Sequence, residues 1–134
     1  MTLLAKRQER SIVPRMYYIT TAIDYTNGPP HIGHAYEKVL ADVLARWHRM
    51  KGEEVYFLTG VDQHGQKVQQ TAEKLGITPQ EHVNNITEQF LALWNRLGIS
   101  NDGWASTTDP RHKACVQKIL TDLKDKGQLY KKSY

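Results

Sequence analysis

The apolar positions of this chain change their period several times, and each change marks an element. Tyr17, Tyr18 and Ile19 with Thr20 and Thr21 form a short β-rich run over residues 16–21. Val39, Leu40, Val43, Leu44, Trp47 and Met50 then recur at helical spacing, which predicts a helix over 34–50 stopped near Lys51 and Gly52. Val55, Tyr56, Phe57 and Leu58 are almost continuously apolar, as expected of a parallel strand covered on both faces. A second helix is predicted over 64–75, ending at Gly76. Thr78, Pro79 and Glu81 supply the cap, first-turn proline and capping-box acid of a third. Its inward face is Val83, Ile86, Phe90, Leu93 or Trp94, and Leu97, up to Gly98. A short strand follows at 104–106. Asp109 and Pro110 open a last helix with Val116, Ile119, Leu120 and Leu123 inward and Gly127 at its end.

Strands that alternate with helices predict one α/β domain with a doubly wound parallel sheet. The crossover between the first two strands should be right-handed, so both strands end on one side of the sheet. Ligands of such sheets bind beyond those carboxyl ends, where His31 and Asp62 are both predicted to lie.

The connection into the first long helix carries the densest chemistry. Gly28 permits a tight turn, and Pro29 and Pro30 keep the backbone extended up to His31. His34 then falls in or beside the first helical turn. Unpaired N–H groups and a partial positive charge at a helix start favour an anion such as phosphate, and two imidazoles add donors. Gly33, between them, leaves room for a ligand to touch the backbone.

Charge changes this picture little. Of the 134 residues, 18 are Lys or Arg and 14 are Asp or Glu, a net charge of +4. Residues 1–15 and 124–134 each carry +3, so the stretch 16–123 carries −2 and is not a basic nucleic-acid surface. Residues 1–15 read as a basic, disordered tail, and residues 16–134 as the folded unit. Cys115 is the only cysteine, which excludes an internal disulfide and a Cys-x-x-Cys zinc knuckle within this chain and suits a reducing cytoplasm. No apolar run approaches the ~20 residues of a membrane span, so no membrane partner is expected.

His31, Ile32, Gly33 and His34 resemble the His-x-Gly-His signature of class I aminoacyl-tRNA synthetases. Ala22, Ile23, Tyr25 and Asn27 ahead of it extend the match. So do Phe57, Leu58, Thr59, Gly60, Asp62, His64, Gly65 and Lys67 after the next strand, and Thr107 to His112 further on. Together they are similar to the methionyl-tRNA synthetase family. Ala22, Asp24 and Gln63 depart from its usual residues. The resemblance implies attack of the methionine carboxylate on the α-phosphorus of ATP, with Mg2+, giving methionyl-adenylate, then transfer to tRNA(Met). It implies that His31 and His34 act on the triphosphate as catalytic and ATP-binding groups, with Gly33 admitting the adenosine. It further implies that Asp62 pairs with the methionine ammonium, that Ile23 and Tyr25 line the side-chain pocket, and that His64 adds a polar contact.

On spacing alone Asp62 is equally an N-cap for the helix near His64. His48, His82 and His112 read as surface or local hydrogen-bonding groups, and Asp102, Trp94 and Trp104 as structural. A metal-dependent hydrolase could use His31, His34, Asp62 and His64 as ligands, although no Glu stands between the paired histidines. A binding module is the other rival, because the chain lacks a Lys-Met-Ser-Lys-Ser signature. The resemblance implies that this chain is a fragment, the first half of a doubly wound Rossmann-like parallel sheet, inactive alone and prone to self-association.

Overall fold

A computed structural model describes residues 16–133. The expected basic tail, residues 1–15, lies outside them. The elements run β1 (Tyr17–Tyr25), α1 (Ile32–Met50), β2 (Val55–Asp62), α2 (Gln66–Leu75), α3 (Pro79–Leu97), β3 (Gly103–Ser106) and α4 (Pro110–Asp125). The three strands form one parallel sheet in the order β1-β2-β3. This open sheet with helices is the expected α/β architecture.

Phe57 and Val61 are four residues apart on β2, so they project from one face. Phe57 packs with Ala41 and Ala45 of α1, and Val61 with Ile86, Phe90 and Trp94 of α3, so both long helices cover that face. Ile99 touches both clusters and joins them into one core. β2 and β3 come unusually close at Gly60, where any side chain would run into the Ala105 carbonyl.

Several expectations change. β1 extends to Tyr25 rather than stopping at residue 21, because its pairing with β2 slips between Thr20 and Ile23 and then resumes. One extra residue reverses the strand's in–out alternation, so the apolar period that marks its first half is lost in its second. β2 likewise runs on to Asp62, and Tyr56 is exposed, so β2 is not covered on both faces. α1 starts at Ile32 and α2 at Gln66. The expected turn does form at residues 26–28, and Gly28 makes it without left-handed backbone, since the positive-φ glycines among the described residues are Gly52, Gly65, Gly76, Gly98 and Gly127.

The apolar row of α1 faces out: Val39, Leu40, Val43, Leu44, Trp47 and Met50 are all exposed, while Lys38, Ala41, Asp42 and Ala45 are buried. α4 buries none of its residues, against the inward face expected for Val116, Ile119, Leu120 and Leu123. His82 is buried in α3 with its Nε2 unpartnered among the described residues, and so is not a surface group. α3 matches expectation at its Thr78–Glu81 capping box, its left-handed Gly98 and the buried Val83, Ile86, Phe90 and Trp94, but Leu97, expected inward, is exposed in the last turn, next to the Gly98 cap.

Candidate active site at the carboxyl ends of the strands

Two backbone hydrogen bonds set the chemistry of the α1 start. His31 is its N-cap in extended conformation, and its Nδ1 accepts the Gly33 N–H at 3.1 Å. His34 reaches back, its Nδ1 accepting the His31 N–H at 3.1 Å. A ring nitrogen that accepts carries no proton, so each neutral imidazole has its hydrogen on Nε2. The capping box thus assigns both tautomers and leaves two Nε2–H donors for a ligand.

The rings stack with centroids 3.7 Å apart, and the His34 ring meets the buried Phe90 of α3 at 5.0 Å, nearly perpendicular. Burial pushes the His34 pKa below its ordinary value; the Asp24 carboxylate pulls it up, but His31 and Lys38 oppose that pull. The first turn of α1 contains no acidic side chain. Two Nε2–H donors at the positive end of a 19-residue helix are chemically suited to an oxyanion. Gly33 is needed by the pair itself, since a Cβ there would stand 3.0 Å from the His31 ring.

The second half of the site lies where β1 and β2 end. Tyr25 pairs with Asp62 in the register. The Tyr25 hydroxyl sits over Gly65, whose φ of 132° and lack of a side chain are both required there. The Asp62 carboxylate accepts the His64 N–H at 3.3 Å and the Thr107 hydroxyl at 3.4 Å. It therefore braces the turn after β2 rather than capping α2, whose N-cap is Gly65. His64 Nε2 donates to the Thr107 carbonyl at 3.2 Å. Tyr25, Asp62, His64 and Gly65 come together, and Thr107 closes the group. Ile23, opposite Gly60, is 40% exposed on the sheet face away from α1 and α3.

Three buried polar residues were not singled out as site residues from the sequence. Gln63 joins three elements: its N–H donates to Thr107 at 2.8 Å, its Nε2 to Thr87 at 3.0 Å, and its Oε1 accepts from Ser106 and from Thr108 at 2.6 Å. Asp24 and Lys38 form a fully buried ion pair at 2.8 Å. Burial pushes the Asp24 carboxyl up, and the Lys38 hydrogen bond only partly opposes it. The departures at Asp24 and Gln63 were visible in the sequence. Lys38 also had a signal, since it stands four residues after His34 and hence on the same side of the helix.

A cleft of about 170 Å³ lies between the β2–α2 turn and α4, lined by His64, Thr107, His112, Lys113, Val116 and Gln117. His112 is exposed, as expected of a surface group, and lines one side of this cleft. His48 stacks on Tyr17 and pairs with Glu53, a local role as expected. Asp102 accepts from Arg49 and from the Phe57 N–H, again structural. Among the described residues no three His, Cys, Asp or Glu side chains cluster as metal ligands, so His31, His34, Asp62 and His64 do not form a ligand set. No helix among them is long and apolar enough to cross a membrane.

A family model described as tRNA synthetases class I (M) matches residues 17–134. The chain is 50% identical to the methionine--tRNA ligase of Streptomyces coelicolor over 121 residues, which are 90% of this chain and 22% of that protein. It is 51% identical to the methionine--tRNA ligase of Rhizobium meliloti over 118 residues, 88% of this chain and 23% of that one. Mycobacterium tuberculosis methionyl-tRNA synthetase, solved in complex with methionyl-adenylate, matches with a TM-score of 0.79 at 37% identity, covering 84% of this chain and 22% of its own. The chain spans less than a quarter of the length of these curated relatives. Because the family match begins at the first residue of β1 and passes the end of α4, taking in every element that builds the site, the chain belongs to the methionyl family of class I tRNA synthetases.

Proposed function

We propose that this chain supplies part of the catalytic domain of a cytoplasmic methionine--tRNA ligase. The whole enzyme activates methionine with ATP to methionyl-adenylate and passes the methionyl group to tRNA(Met). The observation that carries the reading is the reciprocal His31–His34 capping box, which fixes both rings as Nε2–H donors at a helix start.

In that reaction the methionine carboxylate attacks the α-phosphorus and pyrophosphate leaves, so negative charge builds on phosphate oxygens. His31 and His34 donate to those oxygens, and the α1 dipole adds a fixed positive potential. Mg2+ enters as the counter-ion of ATP. Gly33 keeps the backbone open beside the rings for the adenosine. At the other end Asp62, with one carboxylate oxygen engaged by the turn, pairs with the methionine ammonium. Tyr25 and Ile23 contact the thioether side chain, which is suited to aromatic and aliphatic partners, and His64 adds a polar contact. No zinc is assigned to this chain, whose one cysteine, Cys115, is exposed.

The test is methionine-dependent ATP–pyrophosphate exchange by the full-length enzyme. His31→Ala or His34→Ala should lower kcat about 10² to 10³-fold, as loss of one oxyanion donor does elsewhere, with methionine affinity nearly unchanged. Wild-type exchange rates in both variants would refute the reading. The isolated chain should show no exchange, and the exposed apolar row of α1 favours its self-association.

A further inference from the structure

We propose that Lys38 is a positioning residue which, with Glu37, latches the irregular step of β1 to the helix carrying His31 and His34, and so sets the distance between the methionine and phosphate ends of the site. This rests on the function proposed above.

The step lies between Thr20, paired with Leu58, and Ile23, paired with Gly60, so β1 spends three residues where β2 spends two. The reversal it produces places Asp24 opposite Val61, on the α1 side, and carries the strand on to Tyr25 opposite Asp62. Without that step the strand would deliver Asp24 to the outer face of the sheet and rotate Tyr25 away from its present neighbours. Ala22, inside the step, has no partner in the register. Both its backbone polar groups are taken by α1 instead. Its N–H donates to Glu37 Oε1 at 3.0 Å, and its carbonyl accepts from Lys38 Nζ at 3.1 Å as well as from the adjacent Thr21 hydroxyl at 2.9 Å, so Lys38 is the partner that ties it to the helix.

Lys38 has no exposed surface, and its ammonium spends three hydrogen bonds on Ala22, Asp24 at 2.8 Å and Glu37 at 3.0 Å. Replacing a buried ion pair by apolar residues of like size is often neutral or stabilising, so cohesion alone is a weak account of such a lysine. What an apolar residue could not do is tie the Ala22 carbonyl to α1, since its other partner, Thr21, lies on β1 itself. The latch reaches both half-sites directly: Lys38 is one helical turn from His34, and Asp24 is the neighbour of Tyr25. Two reactants held on two elements react at a rate that depends on the spacing of those elements, and a misplacement of ~1 Å can cost ~10²-fold.

The experiment uses the full-length enzyme, with Tm and the kinetics of methionine-dependent pyrophosphate exchange as readouts. Lys38→Met and Asp24→Leu alone should each lower Tm, because each leaves a buried charge without its partner. The double variant should return Tm to near the wild-type value while kcat stays down about 10²-fold, with KM for ATP close to wild type because His31 and His34 are intact. A double variant that recovers Tm and kcat together would show charge compensation only and overturn the latch. If the double variant fails to recover Tm, Glu37→Ala decides, since that side chain is 42% exposed and its loss does not threaten folding. A kcat lowered about tenfold at unchanged Tm supports the latch, and an unchanged kcat overturns it. A wild-type enzyme without exchange overturns the proposed function and the latch with it, whereas an active wild type with indifferent variants overturns the latch alone.

Discussion

The starts of α1 and α3 use one device for opposite ends. Each helix is 19 residues long, and each closes its first turn with a reciprocal capping box, His31 with His34 and Thr78 with Glu81. At α3 the Glu81 carboxylate accepts the Thr78 N–H at 2.9 Å and its hydroxyl at 2.8 Å, so the helix's positive end is met by a charge from its own chain. At α1 two imidazoles do the capping and bring no negative charge. The first helix start is therefore complete as structure but still open to an anion, and the second is closed to one.

The strongest way to break this comparison is to move the α3 box onto α1. His31→Thr together with His34→Glu should keep the helix, because threonine and glutamate satisfy the same N–H groups. On the proposed function the transition-state donors are then lost and a carboxylate stands where phosphate would bind. In the full-length enzyme pyrophosphate exchange should fall more than about 10³-fold while the circular dichroism spectrum is unchanged. Exchange within tenfold of wild type would mean that these histidines serve only as caps.

The reading is sharpened at the opposite end of the site, where a cation is expected. On the proposed function Asp62→Asn removes a charge-assisted bond to the methionine ammonium, while it keeps an acceptor for the His64 N–H. KM for methionine should rise about tenfold and KM for ATP much less. An unchanged KM for methionine with a lowered Tm would leave Asp62 as a brace of the β2–α2 turn alone.

How much of this was legible in the sequence differs by element for physical reasons. α3 could be read to its caps because cap, period and burial agree: Val83, Ile86, Phe90 and Trp94 are apolar and buried. α1 could be located but not oriented. Its period marks the side that shuns water, yet that side is exposed, and the sheet is met by Lys38, Ala41, Asp42 and Ala45. Small residues let α1 approach Phe57 closely, and Asp42 and Lys38 are tolerated because each has charged or hydrogen-bonding partners. α4 was misjudged in the same way, since a helical period cannot say whether a partner is present. The site's residue types were visible as a cluster around residues 31 and 62. The slip at Ala22, which orders Asp24 and Tyr25, was not, because register depends on the partner strand.

A smaller effect tests the closed helix start. Thr78→Ala deletes the acceptor for the Glu81 N–H and should cost about 1 kcal/mol of stability, read by urea unfolding of the full-length enzyme. Its exchange kinetics should be unchanged. A loss of kcat comparable to that of His34→Ala would erase the distinction between the two boxes.

The smallest effect separates the boxes by pH. Burial holds the His34 pKa below the ordinary 6.5, with the Asp24 and Glu37 carboxylates pulling it up and His31 and Lys38 pushing it down. The unfolded chain therefore binds this proton more readily than the folded one. The resulting contribution to stability is complete above about 6.5 and is lost as pH falls from there through the folded pKa. Protonation also removes the acceptor at Nδ1, so the bond from the His31 N–H opens in the same window. At Glu81 the Thr78 N–H, followed by its hydroxyl, holds the carboxyl below the ordinary 4.5. That folded pKa is also depressed, and its stabilisation is present above 4.5 and lost as pH falls through the folded value. Acidification should thus loosen α1 before α3. An NMR titration of the chain should show the His34 ring and the His31 amide shifting together below pH 6.5, with the Thr78 amide still until below pH 4.5. A His34 midpoint at or above 6.5, or a Thr78 amide that moves along with His31, would contradict the assignment of neutral, Nε2-protonated rings to the α1 start.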